Sequence, residues 1–111
     1  MGWFSRRSAG TSRPGTLRTA NTADLAHLRA FAISKHGVEA FIEPRTTVTE
    51  ATLLLVAIDG EWTRRRIPGP QAAEEFAREH GLPLYDPVAV GYPQRMRDWT
   101  ARRKAEESAG D

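Results

Sequence analysis

Residues 52–67 read TLLLVAIDGEWTRRRI, and this stretch predicts a β-hairpin. An apolar strand leads into an Asp59-Gly60 turn, and a half-polar strand with three arginines follows. Because a type I′ turn needs positive φ at both central residues, Asp-Gly between two extended segments is a strong hairpin signal. The first strand is apolar at nearly every position, which is typical of a central strand that is covered on both faces.

A two-residue loop at Asp59 and Gly60 would set the register of this hairpin, with Ile58 facing Glu61 and Leu55 facing Arg64. Successive side chains alternate between the two faces of a sheet. One face is therefore predicted to carry Leu54, Val56, Ile58, Thr63, Arg65 and Ile67. The other face is predicted to carry Leu53, Leu55, Ala57, Trp62, Arg64 and Arg66.

Two amphipathic helices flank the strands, at about residues 22–36 and 70–80. Asn21 is the expected N-cap of the first, and Gly69-Pro70 opens the second. Their apolar stripes are Leu25, Leu28, Phe31 and Ala32 in the first helix, and Ala73, Phe76, Ala77 and His80 in the second. Both helices end in His-Gly, which we interpret as a shared stop signal and not as a repeat.

The remaining elements complete the predicted order. A strand at about 38–43 ends at Pro44, and a fourth strand at about 83–90 is interrupted or displaced to an edge by Asp86-Pro87. A basic helix at about 93–104 carries Tyr92, Met96 and Trp99 on one side. Those three residues either dock on the sheet or face a partner groove.

The predicted fold is α+β, a two-layer sandwich of order αβββαβ plus a C-terminal basic helix, with both main helices on one sheet face. Residues 1–20 are expected to be a disordered basic tail, 21–104 a single domain, and 105–111 a frayed tail. Trp3-Phe4 beside Arg6-Arg7 could make a weak contact with an anionic membrane surface.

Composition narrows the class of protein. There is no cysteine, so disulfides and thiolate chemistry are excluded, and no apolar run is long enough for a membrane span. No secretory signal is evident, and we expect a cytoplasmic location. Residues 21–90 carry seven basic and ten acidic residues, whereas residues 1–20 carry four arginines and no acid. A domain that binds nucleic acid over a whole face would normally be basic in its folded part.

Three short motifs carry a resemblance to a known group of proteins: EPRT at 43–46, GEWTRRR at 60–66 and GYPQRMRDW at 91–99. Over about residues 24–103 the chain resembles a family of short, uncharacterised actinobacterial proteins, some of which carry a generic oxidoreductase label. The resemblance implies no catalytic residue and no cofactor that could be placed on this sequence.

The most specific candidate site is the run of three arginines in the second hairpin strand, Arg64, Arg65 and Arg66, which we call the arginine strip. Trp62, Arg64 and Arg66 share a strand face, so they could hold a base and its phosphates or form a protein interface rich in Trp and Arg. Alternatively, Arg64 and Arg66 pair across the sheet with Glu39 and Glu43. The residues predicted to bind a partner are Trp62, Arg64, Arg66, Tyr92, Arg95, Arg97 and Trp99.

No catalytic, cofactor-binding or metal-binding residue is predicted. The three histidines lack a metal-ligand spacing, and neither a phosphate loop nor a nucleophile elbow is present. The favoured hypothesis is a small, non-catalytic adaptor that binds a protein partner or its own copy. The alternatives are a nucleic-acid-associated protein and an oxidoreductase or other enzyme subunit, so whether the protein is an enzyme stays open.

Overall fold

The computed structural model describes residues 22–44 and 51–109. The helices are α1 (Thr22–Ser34), α2 (Pro70–His80), the single-turn α3 (Pro87–Val90) and α4 (Gln94–Ala109). The strands are β1 (Glu39–Pro44), β2 (Ala51–Val56), β3 (Trp62–Ile67) and β4 (Leu84–Tyr85). The predicted tail at 1–20, the Asn21 cap and the connection at 45–49 lie outside the described residues.

The strands form one sheet in the order β3-β2-β1-β4. β1 and β2 are antiparallel, as are β2 and β3, whereas β4 runs parallel to β1. A parallel neighbour needs a long crossover, and here the crossover from β1 to β4 contains α2. The predicted α+β class and the predicted order of the main elements are confirmed.

Both main helices pack on one face of the sheet, which we call the first face. Leu28 and Phe31 of α1 and Phe76 of α2 join Leu53 and Leu55 of β2 in one buried cluster. The buried residues of the two helices lie where the 3.6-residue period predicts them. Leu25, which was also predicted in the first stripe, is 36 % exposed. Replacing a fully buried leucine such as Leu28 by alanine would lower the free energy of unfolding by about 2–5 kcal/mol, because the transfer free energy of the removed atoms is lost and a cavity is left behind.

The opposite, second face of the sheet has a smaller apolar cluster. Phe41, Leu54 and Val56 are buried there, and Trp62 and Met96 pack against them. Leu53, Leu54, Leu55 and Val56 are all 0 % exposed. The prediction that this strand is covered on both faces is therefore confirmed.

The hairpin between β2 and β3 exists, but its predicted register is wrong by one residue. The loop has three residues, since Ala57 N–H donates to Glu61 O (2.8 Å) and Gly60 N–H donates to Ala57 O (2.9 Å). Ile58 leaves the ladder because its N–H donates to His36 O (2.9 Å). Gly60, at φ 96°, supplies the left-handed residue that such loops require.

This one-residue shift exchanges the faces of β3 relative to β2. Val56 faces Trp62 and Leu54 faces Arg64, whereas Leu55 faces Thr63. The second face thus carries Leu54, Val56, Trp62, Arg64 and Arg66. The prediction that Trp62, Arg64 and Arg66 share a face with Leu53, Leu55 and Ala57 is wrong. Arg64 and Arg66 consequently lie on the face opposite α1 and α2, whereas Arg65 lies on the first face, 3.7 Å from Asp24 of α1.

The fourth strand is far shorter than predicted. Only Leu84 and Tyr85 pair with β1, and the chain then turns into α3. The reason is local: the Asp86 side chain accepts a hydrogen bond from Val88 N–H (2.9 Å), and Pro87 occupies the first helical turn. An N-cap aspartate followed by proline starts a helix more readily than it continues a strand.

The two long helices after the hairpin differ in how well the sequence predicts their bounds. α2 has the predicted bounds and ends at Gly81, which is left-handed. α4 continues past the predicted end at Lys104, so residues 105–109 are helical. Alanine and glutamate are good helix formers, and Arg103 lies 3.8 Å from Glu107 one turn later.

A substitution at Gly60 would test how tightly α4 contacts the hairpin turn. A Cβ at this position would lie 2.1 Å from Arg95 O and 2.9 Å from Trp99 Cβ. We expect Gly60→Ala to lose about 1–2 kcal/mol from its backbone conformation and about 1–3 kcal/mol more from overpacking. Denaturant unfolding followed by tryptophan fluorescence measures the loss.

The matched control is Gly81→Ala. Gly81 is also left-handed, at φ 66°, but a Cβ there would have no atom within 4 Å, so only the backbone cost should appear. Equal losses in the two variants would contradict the packing of α4 against the turn.

Candidate functional site

The seven residues predicted to bind a partner, Trp62, Arg64, Arg66, Tyr92, Arg95, Arg97 and Trp99, come from β3 and from the segment of α4 with the residues before it. We call this set the aromatic–arginine surface. Trp62, Arg64 and Arg66 project from the second face of the sheet, which α4 partly covers. Some of the set therefore hold the molecule together, and others face outward.

Trp62 is half-buried beneath α4. Its indole Nε1–H donates to Thr100 Oγ1 (2.9 Å), and the Thr100 hydroxyl donates in turn to Met96 O (3.1 Å). Met96 packs on the same apolar cluster as Trp62. The basic helix is thus docked on the sheet, the first of the two arrangements left open by the sequence.

Arg64 forms the centre of a polar group beside Trp62. Its Nε and Nη2 donate to the two carboxylate oxygens of Glu43 at 2.9 and 3.0 Å, and its guanidinium carbon lies 5.2 Å from the Trp62 ring centre. The Tyr92 hydroxyl donates to the same Glu43 carboxylate. A two-pronged pair of this kind is geometrically specific, although an exposed pair contributes only about 0.2–1 kcal/mol.

The predicted pairing of Arg64 with Glu43 is therefore present, whereas Glu39 has a different partner. Arg95 Nη2 donates to Glu39 Oε1 (2.7 Å), and Arg95 Nε donates to Ala57 O (2.9 Å). Arg102 Nη2 donates to Asp59 O in the hairpin turn (3.1 Å). Two arginines of α4 thus attach this helix to the turn and to β1.

The outward members of the surface are Arg66, Arg97 and part of Trp99. Arg97 is exposed and donates to Gln94 of its own helix (2.9 and 3.2 Å). Arg103 lies 5.5 Å from the Trp99 ring centre. The structure thus brings Trp62, Arg64 and Tyr92 together, places Arg95 at the hairpin turn, and leaves Arg97 on the solvent side of α4.

Sequence reasoning missed a second group of polar residues, which line a surface cleft of about 630 Å³. The cleft lies where α1 and α2 end, and its polar lining is Lys35, His36, Glu39, His80 and Arg95. The repeated His-Gly at the two helix ends was the available signal. It was interpreted as stop chemistry alone, because the parallel pairing of β1 with β4 was not predicted.

The described residues hold no cluster of three or more histidine, cysteine, aspartate or glutamate side chains that could bind a metal ion. Among the helices of residues 22–44 and 51–109, none is both long and apolar enough to cross a membrane. His27 does not line the cleft. Its Nε2 lies 2.6 Å from Thr63 Oγ1 of β3.

Comparison with known proteins adds no relative: no protein-family model, no curated protein and no solved structure matches the chain.

Tyr92 offers a pH-dependent test of the polar group around Arg64. Two effects raise the pKa of Tyr92 above the ordinary value of 10.0: its hydrogen bond to Glu43, which is the larger, and its partial burial. The neutral phenol is the form that the folded state favours, so its contribution to stability is complete below pH 10.0 and is lost as the pH rises through the folded pKa. The phenolate absorbance that disappears in Tyr92→Phe should have a midpoint above 10.0.

Tyr85→Phe is the control for this titration, since Tyr85 packs on Phe41 at 5.4 Å between ring centres and has no hydrogen bond to Glu43. A midpoint for Tyr92 at or below 10.0 would mean that the phenol does not donate to Glu43 in solution.

Proposed function

We propose that the protein is a small, cytoplasmic, non-catalytic adaptor, and that it binds an acidic surface of another protein through the outer side of α4 and the adjoining arginines of β3. The observation that carries this proposal is the exposure of α4. The helix has 16 residues and none of them is buried. Its second half, from Ala101 to Ala109, is exposed throughout.

Apart from the bond of Arg102 to Asp59 O, the second half of α4 has little support from the rest of the fold. Isolated helices of about 12–15 residues are marginal in water, and a helix that is polar all round needs charge pairs or a partner. Within the exposed half, the ion pair of Arg103 with Glu107 is long, at 3.8 Å. A partner that packs along α4 would supply the missing stabilisation.

The charge of α4 favours an acidic partner. From Arg97 to Lys104 the helix carries four basic residues and a single acid, Asp98. Arg97 and Lys104 are seven positions apart and therefore lie on one side of the helix, with the small residue Ala101 between them. This side faces away from the residues that dock on the sheet, so both basic groups are accessible.

The same positive charge would suit nucleic acid less well. Arg64 Nε and Nη2 already donate to the Glu43 carboxylate, and Arg95 Nη2 donates to Glu39. Phosphate offers only acceptors and would have to displace these carboxylates, whereas a protein partner can bond to them through its own donors and direct its acidic groups to Arg97 and Lys104. A binding surface with such internal pairing fits a protein partner with its own donors and acceptors better.

The test is affinity capture from cells that express the protein naturally, with the double variant Arg97→Glu plus Lys104→Glu. Both positions are exposed and make no contact with the sheet, so the fold should persist. A stoichiometric protein partner should be recovered with the wild type, survive nuclease treatment, and decline at least tenfold with the double variant. A tenfold change corresponds to about 1.4 kcal/mol.

The matched control is Arg29→Glu plus Arg78→Glu, which makes the same change in net charge at exposed positions of α1 and α2. Recovery should be unchanged with this control. Recovery that collapses with nuclease would favour nucleic acid, and self-association of the purified protein would favour a homodimer. Either result, or capture that the α4 variant leaves intact, would overturn the proposal.

A further inference from the structure

The cleft at the ends of α1 and α2 arises from the topology of the sheet. β1 and β4 are parallel neighbours, and each begins shortly after a His-Gly pair: His36-Gly37 two residues past the end of α1, and His80-Gly81 at the end of α2. Parallel strands start at the same edge of a sheet, so His36 and His80 come to line one cleft. Ile58 from the hairpin loop and Arg95 from α4 form other parts of its wall.

His80 has a polar atom that nothing in the described part of the chain satisfies. Its Nε2 is buried without a hydrogen-bond partner among those residues. The ring is packed on Phe76, with 4.4 Å between ring centres, so its position is defined by packing. Buried polar groups almost always have a partner. This nitrogen is closed to solvent, so a molecule in the open cleft does not reach it.

Two ion pairs border the cleft, and each leaves hydrogen-bonding groups unused. Lys35 Nζ donates to Glu61 Oε1 (2.5 Å), which raises the pKa of Lys35 and keeps it charged. An ammonium group has three N–H donors, so two stay available. Arg95 contacts Glu39 through Oε1 alone, and neither Glu39 Oε2 nor Arg95 Nη1 has a hydrogen bond to a described residue.

The charges around the cleft are balanced. Lys35 and Arg95 are matched by Glu61 and Glu39, and the carboxyl ends of α1 and α2 add partial negative charge. A simple anion would meet the Glu39 carboxylate in the wall of the cleft, and a simple cation would meet Lys35 and Arg95. A molecule with both an acidic and a basic group can match each with its opposite.

We propose that this cleft binds a small zwitterionic molecule of the size and chemistry of a free amino acid. Its carboxylate contacts Lys35 and Arg95, its ammonium group contacts Glu39, and its apolar side chain lies against Ile58 and Leu82. The cleft, of about 630 Å³, is open on its outer side and has more than enough room for such a molecule. This site is separate from the outer side of α4, so its existence does not depend on the adaptor function.

The first experiment is titration of the full chain with each of the twenty common amino acids, followed by NMR and calorimetry. The best binder is then compared with its two truncated analogues, one without the amino group and one without the carboxylate. For leucine these are 4-methylpentanoate and 3-methylbutylamine. We expect each truncation to weaken binding at least tenfold, with shifts centred on the backbone signals of Gly37 and Gly81.

The second experiment separates binding from structural roles. Lys35→Met should weaken binding at least tenfold, whereas Lys104→Met on the exposed side of α4 should leave binding unchanged. His80→Phe retains the ring packed on Phe76 and removes the unsatisfied nitrogen, so it should keep or raise the resistance to denaturant. Because that nitrogen is closed to solvent and meets no group of the ligand, binding by His80→Phe should match the wild type.

Several results would overturn the proposal. One is that no amino acid binds, and another is that a truncated analogue binds as tightly as the parent. A third is that Lys35→Met binds as the wild type does.

Discussion

The structure depends on one constraint: β2 is buried on both of its faces. Leu53 and Leu55 require a cover on one face, and Leu54 and Val56 require a cover on the other. Each such side chain gains about 1.5–3 kcal/mol when it is fully removed from water. Because α1 and α2 lie on the same face, α4 has to complete the second.

The attachment of α4 explains how the chain uses its aromatic and basic residues. A helix without a buried residue contributes little apolar area, so polar contacts hold it in place: the Trp62 hydrogen bond to Thr100, and the bonds from Arg95 and Arg102 to the hairpin turn. The arginines of β3 have a further role. β3 is an edge strand, and charged side chains on an edge discourage accidental pairing with other strands.

The sequence allows the helices, the central strand and the fold class to be predicted, because each depends on a periodicity or a cap that is local. The hairpin register could not be predicted, since it depends on a distant group, His36 O, which draws Ile58 out of the ladder. The length of β4 was a local error: Asp86-Pro87 is an N-cap followed by proline, and it was interpreted as an interruption of a strand.

The candidate sites also divide into features that follow from local sequence and features that depend on contacts distant in the chain. The grouping of Trp62 and Arg64 follows from alternation along one strand, and the pairing of Arg64 with Glu43 was among the predicted alternatives. The cleft depends on β4 lying beside β1, which no local pattern encodes. The resemblance to uncharacterised actinobacterial proteins stays a prediction, and so do the partner-binding roles of all seven residues of the aromatic–arginine surface.

Arg95 connects the two sites physically. Its Nε and Nη2 attach α4 to Ala57 and Glu39, and the same side chain lines the cleft. A ligand that bonded to Glu39 or to the guanidinium would change the free energy with which α4 is attached. Since coupling between two sites is reciprocal, a partner that held α4 against the sheet would change the affinity of the cleft by the same factor. The sign depends on whether the ligand adds to the Arg95–Glu39 pair or replaces it, and the unused Nη1 and Oε2 atoms favour addition.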